Sequence, residues 1–119
     1  MTVLVARTNT PEGQAALSAA VEEAKRRGED LLVFNLEGAH LHLEVDRLDD
    51  VPVIYRTPDA HNRDAVTQLL ETAEQMDASA IVVGVKRRSP VGKLLLGSVA
   101  QQILLEAHVP VLAIKPQRF

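Results

Sequence analysis

Short apolar runs, separated by stretches of mixed character, recur along the chain, and their spacing sets the expected fold. Val3 Leu4 Val5 Ala6 is free of charge and rich in β-branched residues, as a strand buried on both faces requires. Leu31 Leu32 Val33 Phe34 and Ala80 Ile81 Val82 Val83 have the same character. Val51 Pro52 Val53 Ile54 Tyr55 makes a further strand, and its proline, which has no amide proton for the ladder, suggests a sheet edge. Val109 Pro110 Val111 Leu112 Ala113 Ile114 supplies the last strand.

Helical patterns lie between these runs. Thr10 caps the first, Pro11 takes its opening position, and Leu17, Val21 and Ala24 recur at spacings of four and three on one face. Lys25, Arg26 and Arg27 offset the partial negative charge of its last turn, and Gly28 tolerates a left-handed cap. A second helix is expected over 59–77, with Asp59 as cap and Val66, Leu69, Leu70, Ala73 and Met76 as its buried stripe. A shorter one carries Val99, Ile103, Leu104 and Ala107. The stretch 37–50 has no helical stripe and reads as a loop or one irregular turn. Strands alternating with helices at this spacing imply βαβ crossovers, hence an α/β fold with a parallel sheet.

The 119 residues are expected to form one domain, large enough to bury a core without disulfides or metals. Aromatic residues are 3% of the chain, and Phe34, Tyr55 and Phe119 are its only rings, so base-stacking platforms cannot be built. A net charge of -3 also argues against a nucleic-acid partner. The chain has no cysteine, which fits a reducing compartment. Its opening residues do not read as a signal peptide, and no apolar run approaches the roughly 20 residues of a membrane span. The expectation is a cytoplasmic protein without a membrane partner.

One connection stands out by length. Gly84 Val85 Lys86 Arg87 Arg88 Ser89 Pro90 Val91 Gly92 Lys93 Leu94 Leu95 Leu96 Gly97 Ser98 joins the fourth strand to the last helix, with three glycines, four cations and no acidic residue. It feeds a helix N-terminus, where unpaired amides and the helix dipole favour an anion and glycine permits close approach. Open parallel sheets bind ligands beyond the carboxyl ends of their strands, where the strand order reverses. Thr8 and Asn9, after the first strand, and Asn35, after the second, would flank the same crevice. The alternative is a solvated connection with an ordinary helix cap. Two familiar phosphate motifs fail: a P-loop needs glycine at 87 and Ser or Thr at 94, where this chain has Arg87 and Leu94, and no glycine follows the first strand.

At this loop the sequence resembles the universal stress protein family, whose nucleotide loop reads glycine, two residues, glycine, nine residues, glycine, then Ser or Thr. Gly84, Gly97 and Ser98 fall in register, and the run 94–100 with the last strand looks like the family's C-terminal segment. The resemblance implies a Rossmann-like domain whose five parallel strands have the order 3-2-1-4-5, with helices on both faces. It further implies a homodimer joined through the last strand and, in one branch, bound ATP or a related adenine nucleotide, with Mg only beside a triphosphate. Carried over by position, Gly84, Gly97, Ser98 and Val99 line the phosphate and ribose site, and Gly92 and Lys93 belong to the same loop. The family's second loop glycine is Arg87 here, whose guanidinium either obstructs the phosphates or pairs with them. Thr8 stands where the family often has an adenine-binding aspartate.

The expected function is a nucleotide-binding regulatory protein of the stress response without dedicated catalysis. A nucleotide-free dimeric interaction module and a slow ATPase are the alternatives. His40 and His42 would share a side of an extended segment, so a two-imidazole metal site is conceivable, but without a clear third ligand a surface loop is the preferred reading. His61 and His108 suit helix ends. Ser89 and Ser98 lack the Gly-x-Ser-x-Gly context of a nucleophile elbow.

Overall fold

A computed structural model describes residues 1–37, 46–59, 64–86 and 96–116. The first apolar run forms β1 (Thr2–Arg7), and the chain then turns into α1 (Pro11–Arg27). The Thr10 hydroxyl accepts from the Gly13 amide (3.0 Å), Pro11 opens the helix, and Gly28 ends it at φ 65°, so both ends lie where the cap residues placed them. β2 (Asp30–Asn35) follows, paired parallel to β1 with Arg7 level with Asn35.

At residues 47–56 comes a feature that the expected loop over 37–50 did not include. β3 (Arg47–Leu48) pairs antiparallel with β4 (Val51–Arg56) through a two-residue turn, in which Asp49 and Asp50 both take positive φ (49° and 68°). Two successive left-handed residues are what the right-handed twist of a tight hairpin favours. Lys25, near the end of α1, reaches the Asp49 carboxylate at 2.7 Å, and that contact holds its amine above the ordinary lysine range. Because β3 lies outside β4, Pro52 is not on an outermost strand as expected. It stands opposite Arg47, and the Val53 amide makes the bond to the Asp46 carbonyl.

α2 (Ala65–Gln75) begins later than the expected position 59. Asp64, not Asp59, is its cap, and accepts from the Thr67 amide. Gln102 also donates to Asp64 (3.2 Å), and this bond, followed by those from Thr67, holds the carboxyl below its ordinary range. β5 (Ala80–Gly84), α3 (Ser98–Glu106) and β6 (Val111–Ile114) complete the chain.

The sheet order is β3-β4-β2-β1-β5-β6. Every pair except β3 with β4 is parallel. The expected order of five parallel strands is therefore present, with a short sixth strand added at one edge. Alternate residues of each strand face opposite sides, so the core has two layers. Val3, Val5, Leu31, Val33, Val53 and Val82 pack against α1, while Leu4, Ala6, Leu32, Phe34, Ile81 and Val83 pack against α2 and α3. On α1 the smallest residues lie deepest: Ala16, Ala20 and Ala24 are buried, and Leu17 and Val21 flank them half-buried. A helix that presents alanine approaches the sheet closely, and this approach shapes the crevice at the strand ends.

Candidate functional site

The chain leaves β1 toward β2 on one side, and β5 lies on the other, so the strand order reverses between β1 and β5. In parallel sheets this is where a crevice opens beyond the carboxyl ends of the strands. The register pairs Val5 with Val82, and its continuation sets Gly84 beside Arg7. Thr8 and Asn9 thus stand at the end of β1, Asn35 at the end of β2, and Gly84 at the end of β5, all on one rim of the sheet.

Gly84 is held there by a backbone contact. A Cβ at this position would lie 2.1 Å from the Glu12 carbonyl oxygen, so the first turn of α1 rests directly on the end of β5. Gly13 makes the matching contact with the turn after β1, where a Cβ would lie 2.2 Å from the Thr8 carbonyl oxygen. Together the two glycines press the start of α1 into the switch point. Its Gly13 amide is already served by the Thr10 hydroxyl, which also bonds that of Thr8 (2.7 Å).

The start of α3 is different. Gly97 precedes it with φ 82° and ψ 157°, a combination open essentially to glycine alone, and has no side chain with which to cap the helix. Among the described residues, no side chain accepts from the amides of Ser98 or Val99. Lys86, two residues past Gly84, lies over this point: a Cβ on Gly97 would sit 3.6 Å from the lysine Cε. Unclaimed amides, the positive end of a helix and an adjacent ammonium converge there, which is the arrangement that binds an anion. Ser98 is exposed, and Val99 is half-buried against the α2 and α3 side of the core.

Asn35 is fully buried, and its Oδ1 accepts from the Glu37 amide (3.3 Å), so it fixes the path of the chain past β2. Glu37 in turn accepts from the Asn9 amide at 3.0 Å. Neither Lys86 nor Glu37 stands out in the sequence beyond being a loop charge. Arg87, Gly92 and Lys93 lie outside the described residues, as do His40, His42, His61 and Ser89. His108 contacts Glu74 at the far end of the sheet, away from the crevice. Among the described residues, no group of three or more His, Cys, Asp or Glu side chains could hold a metal ion, and no helix is long and apolar enough to cross a membrane.

A doubly wound parallel sheet with a glycine-bounded crevice at its switch point defines a Rossmann-like α/β protein. More narrowly, the chain belongs to the universal stress protein family, whose sequence model matches residues 37–115. A universal stress protein of Mycolicibacterium smegmatis is 38% identical over 129 residues, which cover 98% of this chain and 99% of that protein. Among solved structures, the universal stress protein from Archaeoglobus fulgidus has a TM-score of 0.76 at 26% identity, covering 97% of this chain and 98% of that one. A universal stress protein from the same organism, solved in complex with dAMP, has a TM-score of 0.70 at 21% identity and the same coverage, a likeness of fold.

Proposed function

We propose that this chain is a single-domain, cytoplasmic nucleotide-binding protein of the stress response, which holds ATP or a related adenine nucleotide and has no dedicated catalytic groups. The observation that carries the reading is the start of α3, where Gly97 offers no cap and, among the described residues, no side chain accepts from the Ser98 and Val99 amides beneath Lys86. A phosphate tail seated there would receive main-chain hydrogen bonds and a counter-charge, and the nucleoside would lie across the ends of β1 and β2. Arg87, Gly92 and Lys93, of the same loop, are proposed as further nucleotide-binding residues, with Mg only beside a triphosphate. The similar fold solved with dAMP supports an adenine ligand.

Mass spectrometry of freshly purified, denatured protein is expected to release a nucleotide, and calorimetric titration with ATP is expected to saturate. A ligand that binds only the folded state also raises the melting temperature, by the equivalent of about 2.7 kcal/mol at a hundredfold excess over Kd. No retained nucleotide and no binding at millimolar ATP would reject the reading in favour of a nucleotide-free interaction module. Phosphate release that is lost on changing Arg87 or Lys93 would instead mark a slow ATPase.

The protein is further proposed to be a homodimer through β6. The Pro110 and Ile114 carbonyls accept from Ile81 and Val85, so in a parallel ladder the main-chain groups of Val111 and Ala113 face away from β5. Ala113 is exposed, as are Leu104 and Leu105 on α3, which packs beside β6. An unpaired apolar edge is covered most simply by a second copy. Sedimentation velocity is expected to give a dimer, and Ala113→Pro a monomer. A wild-type monomer at tens of micromolar would overturn the assignment.

A further inference from the structure

We infer that the Glu37 carboxylate is the group that selects the base, accepting a hydrogen bond from an exocyclic amine such as that of adenine. The inference rests on the nucleotide reading above and concerns the opposite end of the ligand from the phosphates. Adjacent strands lie about 4.8 Å apart, so β2 stands about 10 Å from β5, with β1 between them. A nucleoside spans that distance from its 5′ oxygen to the far edge of its base. With phosphate at the start of α3, the sugar crosses the end of β1, and the base edge arrives beyond β2.

The residue met there is Glu37, and it is held from two sides. Its own amide donates to the fully buried Asn35 (3.3 Å), and its Oε1 receives the Asn9 amide (3.0 Å). The carboxylate is therefore drawn over the turn after β1 even though the residue is exposed. Among the described residues it makes no other bond, so its second oxygen is available to a ligand. An ionised carboxylate only accepts. An amino group satisfies it, whereas the carbonyl oxygen at the same position of hypoxanthine sets two acceptors against each other. Thr8, nearer the sugar, has its hydroxyl engaged by Thr10.

The test compares ATP with ITP, which differ at this position of the base and share ribose and phosphates. Calorimetry on the wild type is expected to favour ATP by at least about tenfold, the order of a hydrogen bond to a charged acceptor. Glu37→Gln keeps an oxygen for the Asn9 amide and offers an amide donor to hypoxanthine, so it is expected to bring the two nucleotides within about threefold of each other. The preference for ATP over adenosine, which reads the phosphate end, is expected to stay at its wild-type value. Glu37→Ala should also abolish the discrimination. An unchanged ratio of ATP to ITP in Glu37→Gln would overturn the inference and leave Glu37 as a fastener of the turn alone. A wild type that binds neither nucleotide at millimolar concentration would remove the nucleotide reading and this inference with it.

Discussion

Gly84→Ala is expected to destabilise the protein by about 3 kcal/mol, the upper end of what overpacking a filled site costs. At this chain length that corresponds to a fall of roughly 12 °C in melting temperature. The added methyl would lie 2.1 Å from the Glu12 carbonyl oxygen and 2.5 Å from its carbonyl carbon. Both belong to the backbone of α1, so no side chain can rotate to make room, and relief requires the helix to lift from the sheet. Along that helix Ala16, Ala20 and Ala24 are wholly buried against Val3, Val5 and Val82, and a shift at its start loosens the contact throughout. Gly28→Ala is the control. Nothing lies within 4 Å of its Cβ, so only the positive φ of 65° is disturbed, at about 1 kcal/mol. Thermal denaturation followed by circular dichroism separates the two, and a Gly84→Ala protein melting within about 2 °C of the wild type would contradict the packing account.

The second large effect concerns the ligand. Gly97→Ala should lower nucleotide affinity by roughly tenfold to a hundredfold, because its backbone conformation costs about 1–3 kcal/mol for a residue with a Cβ. Space is not the obstacle, as the nearest atom, the Lys86 Cε, is an ordinary contact away at 3.6 Å. Relief comes by rotating the main chain, which turns the Ser98 and Val99 amides from the direction they share at the start of α3. Calorimetric titration with ATP reads the loss, and Lys86→Ala, which leaves the backbone untouched, is expected to lose less. Equal affinity in Gly97→Ala and the wild type would show that the phosphates bind elsewhere.

The contrast between these two glycines shows how much of the site could be read in advance. Both were visible as loop glycines, and both were carried to the phosphate site by the family resemblance. For Gly97 the structure supplies a conformational reason, a positive φ at a helix start, where the sequence had suggested close approach of an anion. For Gly84 it supplies another, the close passage of α1, which joins residues more than seventy positions apart and leaves no local trace. Lys86 and Glu37 were overlooked for the same reason: a charged loop residue becomes informative only when its neighbours in space are known.

The strands were legible because parallel strands buried on both faces must be uninterrupted apolar runs, and the ends of α1 were legible because Thr10, Pro11 and Gly28 act on their nearest neighbours. The start of α2 was misplaced because Asp59 and Asp64 have the same capping chemistry, and tertiary contact with Gln102 favours the latter. The hairpin of β3 escaped notice because a strand of two residues, Arg47 and Leu48, is too short to show a period, and its turn is held by a lysine from a distant helix. Local chemistry was thus enough to specify the elements and their parallel arrangement, since propensity, capping and alternation act over a few residues. Which helix presses on which strand end, and which amides are left open to a ligand, depended on contacts between distant segments, and those exist only once the sheet has been wound.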